Sequence, residues 1–179
     1  SGGTPTVSSK HYWGDGIPWY SSGELNNFFT SDPERPLSHQ GLNESNAKLF
    51  PTGALLIGMY DTAALKMSIL DREAAFNQAI AGAKPTVGLD TSYLLHAISA
   101  QKEELLGQRR GVRQKNLSLG KIKDIAIPLP SIDVQKEIVG ELHEVADEIA
   151  RLESLYTRKL AALDELKQSL LQRAFSGAL

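Results

Sequence analysis

The main concentration of positive charge in this 179-residue chain lies between residues 109 and 123: Arg109, Arg110, Arg113, Lys115, Lys121 and Lys123, with no acid between Glu104 and Asp124. Clustered cations gather phosphate contacts and make binding depend on salt. Gln114 and Asn116 stand among them, and an amide side chain can pair bidentately with adenine as arginine does with guanine. The chemistry on offer is nucleic-acid recognition. A run of six cations is also the ordinary composition of a solvated loop, so on the run alone both readings stay open.

Other chemistries find little support. The chain has no cysteine, which excludes disulfides, thiolate zinc sites and cysteine nucleophiles, and fits a cytoplasmic protein. There is no Gly-x-x-x-x-Gly-Lys-Ser/Thr loop for a nucleotide. The four histidines, His11, His39, His96 and His143, are scattered without metal-ligand spacing. Glu165-Leu166-Lys167 resembles a nuclease Glu-x-Lys pair, but no paired aspartate accompanies it and it reads as a solvated helical face. The Asn/Asp-Pro-Pro-Tyr/Phe tetrapeptide of amino-methyltransferases is missing as well. No catalytic residue and no metal site is therefore expected. Net charge is −2, with 13 Lys+Arg against 12 Asp+Glu up to residue 125 and six against nine beyond it. Nucleic-acid binding would have to rest on a local basic face rather than on bulk charge.

The elements that must position these residues fall into two parts. Four aromatics among glycines and a proline, His11 to Tyr20, suit tight turns beside a short strand, Ile17 to Ser21, with Trp13, Trp19 and Tyr20 as core candidates. Ser21, Ser22 and Glu24 follow, where polar side chains could reach a ligand. Leu42 to Phe50 reads as a short helix or irregular turn, and Ala54 to Tyr60 as a buried strand. Lys66 to Leu70 completes a hairpin, Asp71 to Ile80 has a helical composition, and Lys84 to Val87 is an edge. Thr91 to Leu106 reads as a helix stopped near Gly107. The fold class expected is α+β: a small globular domain with short strands, residues 1–125, then a Pro-rich join, 126–131, and one long helix, 132–179.

That helix carries the clearest periodicity. Ile138, Leu142, Val145, Ile149, Leu152, Tyr156, Leu163, Leu166 and Leu170 recur in alternating steps of four and three, with Lys159 the one polar slot. A 3.5-residue repeat sustained this long describes a seam for another helix. Ser131 is placed to cap its start, and Asp133 in the first turn suits the helix dipole. A long amphipathic helix packed on its own domain is the plainer alternative.

Together these stretches resemble the DNA-specificity subunits of type I restriction–modification systems. The likeness rests on Ser1-Gly2-Gly3-Thr4-Pro5 with Tyr12 to Trp19 and Ser22-Gly23-Glu24-Leu25; on Ser45 to Gly53 with Asn77-Gln78; and on Ile127-Pro128-Leu129-Pro130 with Gln135 to Val139 and the ending Gln168 to Leu179. It covers nearly the whole chain. Val134 stands where the family usually has an acid before Gln135. One recognition domain and one helix are present where a full subunit has two of each, and the stretch before Ser-Gly-Gly is lacking. A half subunit or a fragment is expected.

The resemblance implies a target recognition domain that reads one half of a bipartite double-stranded DNA site. The helix would pair with a second such helix, antiparallel, and offer a platform to methyltransferase subunits, with the restriction subunit joining for cleavage. S-adenosylmethionine would belong to the methyltransferase partner, and this chain would hold no cofactor and catalyse nothing. A homodimer, or pairing with another specificity-type helix, would cover the seam. Base reading is expected on loops: Arg109, Arg110, Arg113, Gln114, Lys115 and Asn116 first, with Ser22, Asn46, Lys48 and Gln78 as further candidates. Ser45 to Gly53 and Asn77-Gln78 are equally candidates for a purely structural role. The competing function is a coiled-coil interaction module without DNA specificity; a nuclease or methyltransferase fragment is a third reading that the missing motifs oppose.

Overall fold

The computed structural model describes residues 1–107 and 116–176, and the chain divides into two compact units, Ser1–Lys136 and Glu137–Leu179. The architecture is α+β. Strands β1 (Trp13–Ile17) and β2 (Trp19–Tyr20) precede the short helix α1 (His39–Asn43). Then come β3 (Leu55–Gly58), β4 (Met67–Ile69), β5 (Ala75–Phe76) and β6 (Ile80–Ala83). Helices α2 (Thr91–Ala100), α3 (Lys102–Leu105), α4 (Leu119–Lys123) and α5 (Ile132–Phe175) complete the order. No helix among the described residues is long and apolar enough to cross a membrane.

β3 is the centre of the first unit. It pairs antiparallel with β4 on one side and β6 on the other, with Leu55 opposite both Ile69 and Ala83. All four of its residues are buried. Successive side chains of a strand point to opposite faces, and the two faces meet different cores. Leu55 and Ile57 pack with Leu95 and Ile98 of α2, Leu106 and Leu117. Leu56 packs with Tyr20, Leu25, Leu70, Phe76 and Ile80. A third cluster joins Ile17, Trp19 and Leu37, with Trp13 set edge-on to Trp19 at 5.0 Å.

The hairpin expected from Leu55 and Lys66 onward forms, but the stretch after it differs from expectation. Asp71 to Ile80 contains no helix. Ala74, Ala75 and Phe76 are consecutive buried residues, which a strand between two layers accommodates and a one-faced helix does not. β5 pairs parallel with β2, Tyr20 opposite Phe76, and the Ala79 N–H donates to Asn77 Oδ1 at 3.0 Å, turning the chain into β6. Lys84 and Pro85 carry no regular structure and Val87-Gly88 form a turn closed by the Thr86–Leu89 bridge, so the strand lies four residues earlier than the composition suggests. The short helix begins at His39 rather than Leu42, capped by Ser38, whose Oγ accepts from the Gly41 N–H at 3.0 Å. The helix expected to run from Thr91 to Leu106 is broken at Gln101, whose side-chain amide donates to the carbonyls of Ala97 and Ala126.

That second bond is one of several that lay the Pro-rich segment along α2. The Tyr93 hydroxyl donates to the Pro128 carbonyl at 3.0 Å, and Ile125 and Ile127 pack on the main core. α5 then starts with the Gln135 N–H donating to the Ser131 carbonyl. The Gln135 side chain is wholly buried. Its Nε2 donates to the carbonyls of Gly88 (3.0 Å) and Pro130 (2.8 Å), and its Oε1 accepts from the Asp90 N–H at 2.8 Å. Asp90 in turn caps α2 by accepting from the Tyr93 N–H. One amide therefore ties the first turn of α5 to the loop that starts α2.

Taken by itself, the second unit is the continuation of α5, a helix of 44 residues in all and about 66 Å long at 1.5 Å per residue. Asp133 lies in its first turn and Arg173 in its last, each favourable to the helix dipole. Replacing Gln135 with Met removes all three bonds and leaves a part-buried set of backbone groups without these partners, each costing up to about 1–3 kcal/mol to the extent that water cannot replace Gln135. Urea denaturation should show the variant less stable by about 2–4 kcal/mol; a loss under about 0.5 kcal/mol would refute this account of the junction.

Candidate nucleic-acid interface

The first five residues are built into the domain. The Gly3 N–H donates to the Phe76 carbonyl at 2.9 Å, and the Gly3 carbonyl accepts from Trp19 Nε1 at 3.0 Å. Thr4 Oγ1 donates to Gln78 Oε1 at 2.5 Å. Two consecutive glycines are required here by close approach. A Cβ on Gly2 would run into the Phe76 carbonyl, and one on Gly3 into the Asn46 carbonyl. The three sequence stretches Ser1–Pro5, Ser45–Gly53 and Asn77-Gln78, separated along the chain, thus meet in space. Trp19 is buried where its indole N–H finds this partner, which accounts for a Trp rather than a Phe at that position.

Around this meeting point lie several of the candidates named from sequence. Asn46 and Lys48 are exposed, as is Gln78. Next to Gln78, the Ala79 carbonyl accepts from the Met59 N–H at 2.9 Å. The Met59 carbonyl accepts from the Leu117 N–H at 2.7 Å, and Asn116 bridges to Tyr60. Asn116 is therefore brought to the same side of the Met59–Tyr60 extension of β3 as the Asn77–Ala79 turn. Arg109, Arg110, Arg113, Gln114 and Lys115 lie outside the described residues; the last of them precedes Asn116 directly. Ser22 is half-buried and opens a 3-10 turn after β2, whose Tyr20 carbonyl accepts from the Asn77 N–H at 2.9 Å, and the Glu24 carboxylate accepts from the N–H groups of Ser21 and Glu34.

A further lysine is brought to this part of the domain. Lys84 places its ammonium 5.3 Å from the centre of the Phe50 ring, which packs on Phe76. Lys84 was missed from sequence, being isolated in the chain and brought to Phe50 by the β3–β6 pairing. Lys123 was visible as the end of the basic run. Other cations are occupied elsewhere. Arg72 pairs with Asp71 (2.7 Å) and Asp32 (3.0 Å), which raises its own value and, through the bond to Arg72, holds the Asp71 carboxyl low against the opposing effect of burial. Arg35 stacks on Trp13 at 3.9 Å. Among the described residues no group of His, Cys, Asp or Glu is placed to hold a metal ion.

In the second unit the periodic residues stand out from the helix surface. Ile138 is half-buried, whereas Leu142, Val145, Ile149, Leu152, Tyr156, Leu163, Leu166 and Leu170 are exposed, Tyr156 to 61% and Leu163 to 62%. Large apolar side chains in such a row mark an interaction face.

Comparison with known proteins places this arrangement. Residues 1–157 match the family described as the type I restriction modification DNA specificity domain, and the chain belongs to that family. The family is one of specificity domains, not of catalytic ones. Similar proteins include the type I restriction enzyme MjaIX specificity subunit of Methanocaldococcus jannaschii, 27% identical over 146 residues, which make up 79% of this chain and 34% of that protein. The EcoBI specificity subunit of Escherichia coli is 35% identical over 75 residues, 42% of this chain and 16% of that one. The HsdS subunit of Thermoanaerobacter tengcongensis shares the fold at 21% identity, with a TM-score of 0.73 over 99% of this chain and 42% of the other. A chain from a structural study of the complex assembly and conformational transition of the type I R-M system superposes with a TM-score of 0.79, also at 21% identity, covering 43% of its length. The chain spans about a third of the MjaIX subunit and under half of the solved ones.

The glycine contacts generate a stability test. Gly3→Ala forces its Cβ against the Asn46 backbone, and overpacking of this kind costs about 1–3 kcal/mol. Thermal unfolding should register that loss, whereas Gly140→Ala, in open space within α5, should be neutral or stabilising. Equal behaviour of the two variants would mean that the N-terminal segment is not seated as described.

Proposed function

We propose that this chain reads one half of a bipartite double-stranded DNA site, as one recognition domain and one spacer helix of a type I restriction–modification complex. Membership of the specificity family, matched across residues 1–157, carries this reading. The basic chemistry around the N-terminal segment supports it: Lys48, Lys84 and Lys123 supply phosphate contacts, while Arg109, Arg110, Arg113, Gln114, Lys115 and Asn116 reach base edges, with Asn46, Gln78 and Ser22 at the margin. Phosphate contacts set register and affinity, and base contacts set sequence.

In this reading the chain is non-catalytic and acts in the cytoplasm. Residues 1–125 form the recognition domain, 126–131 the join, and 132–179 the pairing helix. α5 docks on a second copy, or on another specificity-type helix, through Ile138, Leu142, Val145, Ile149, Leu152, Tyr156, Leu163, Leu166 and Leu170. The pair presents a platform to methyltransferase subunits that bring S-adenosylmethionine, and to a restriction subunit. A rod of about 66 Å set against about 3.4 Å per base pair allows half-sites more than one DNA turn apart. Two copies related by a two-fold axis would read a palindromic bipartite site.

The deciding experiment is selection from random duplex DNA by the chain assembled with its methyltransferase partner. The expected product is an enriched bipartite site; a flat sequence profile removes the specificity reading. Replacing Arg109, Arg110 and Arg113 by Ala should weaken binding and lower the slope of log affinity against log salt by about 1 for each phosphate no longer neutralised. An unchanged slope would exclude those arginines from the interface. For the helix, light scattering of the unmodified chain should give a dimer, and Leu152→Asp with Leu163→Asp a monomer; an unaltered mass would leave the seam without a role.

A further inference from the structure

Within the seam of α5 one position breaks the apolar rule. Lys159 falls in the column of Ile138, Val145, Leu152 and Leu166, and its ammonium lies 5.8 Å from the centre of the Tyr156 ring one turn back. A single charged residue in such a seam lowers stability but selects among helix pairings. We infer that Lys159 dictates the direction and register in which a second copy of α5 is taken up. The inference rests on the pairing reading above and adds the residue that decides its geometry.

Consider first two copies parallel and in register. Residues of one column then face their own counterparts, so Lys159 meets Lys159 inside an apolar seam. On the rims, Glu148 of one helix approaches Glu153 of the other, because parallel pairs bring rim positions five residues apart together. Both contacts set like charges side by side, which is unfavourable.

Now reverse one helix. Antiparallel pairs place the two columns opposite each other, and one register matches the seam from end to end. Ile138 faces Leu170, Leu142 faces Leu166, Val145 faces Leu163, and Leu152 faces Tyr156. Lys159 then lies against Ile149, whose rims carry Glu148 and Glu153. The ammonium can extend past the aliphatic contact to those carboxylates, as long basic side chains do. Glu148 is held at 2.9 Å by Arg151 of its own helix, leaving Glu153 as the less committed acid. The two copies of Glu153 approach each other near the symmetry axis, and the two incoming lysines offset that repulsion. A groove lined by Ile149, Leu152, Glu153 and Tyr156 already lies open where these layers would form. Sliding by one heptad leaves apolar layers at both ends uncovered. Charge complementarity thus favours one occupant, a second copy of this helix, in one orientation.

Because the chain contains no cysteine, introduced thiols report the pairing directly. Ile138→Cys and Leu170→Cys chains, distinguished by a mass tag, are mixed and oxidised in the full 179-residue protein. Antiparallel pairing joins one variant to the other. Parallel pairing joins each to itself, since in antiparallel helices residue 138 of one copy lies about 48 Å from residue 138 of the other, far beyond the reach of a disulfide. With Lys159 present, mixed disulfides should exceed self-disulfides by at least about tenfold, the ratio that a 1.4 kcal/mol difference gives. In the Lys159→Leu background the ratio should fall toward one, with the dimer more stable to urea. Predominant self-disulfides with Lys159 present would overturn the proposed orientation while leaving pairing itself intact. A ratio unmoved by Lys159→Leu would overturn the role of Lys159. A chain that stays monomeric by light scattering would remove pairing with a second copy and this inference with it, while leaving pairing with a different specificity-type helix.

Discussion

The three hydrogen bonds of the Gln135 side chain are the contact on which the first unit's organisation most depends. They satisfy two carbonyls and one N–H in a part-buried setting around a wholly buried side chain. Leaving such groups unpaired costs more than the bonds themselves return, so an amide with one acceptor and two donors is close to the only side chain that serves all three. The same residue closes the Pro-rich segment, through Pro130, and the loop that caps α2, through Gly88 and Asp90. The 126–130 stretch is thereby tied to α2 and the loop before it. Tyr93 and Gln101 extend the same logic by giving partners to the carbonyls of Pro128 and Ala126.

A comparable constraint operates at the other end of the unit. Gly2 and Gly3 bring the chain close enough to Phe76 and Asn46 for backbone to touch backbone, which a Cβ at either position would prevent. The result is a seam of local bonds through Trp19, Thr4 and Gln78 that fixes where the Asn46–Lys48 stretch and the Asn77–Ala79 turn present their side chains. Polar candidates at 46, 48 and 78 are held near one another by apolar and backbone contacts beneath them, the relation expected when a rigid scaffold positions a binding loop.

Much of this was legible in the residues and some was not. Ala54 to Tyr60 read as a buried strand, realised over Leu55–Gly58, because an apolar run bounded by turn residues has few other solutions, and α5 read as a long helix because its period persists for more than thirty residues. The alanine-rich stretch before Asn77 misled, since helix propensity is a weak prior and pairing with β2 overrode it. The break at Gln101 was not legible, and one partner of its side chain, the Ala126 carbonyl, lies 25 residues away. At the candidate interface the basic run announced itself by composition. Lys84 did not, because nothing in its neighbourhood distinguishes a surface lysine from one brought beside Phe50 by the sheet.

The heptad columns of α5 hold one further regularity. Gln135 precedes Leu142 by seven residues and stands in the same column as Ile149, Tyr156, Leu163 and Leu170. One helical face therefore begins at a buried amide and continues as a row of exposed apolar side chains. The two stretches of that face do different work. Apolar side chains stabilise any close contact but tolerate sliding along the axis, whereas a buried amide with three directed partners tolerates none. Within the first unit Gln135 fixes the start of α5; in the pairing we propose, apolar layers supply the area and Lys159 the one charge that distinguishes alternatives. Polar groups are sparse on this face, and each stands where a choice among otherwise similar packings has to be made.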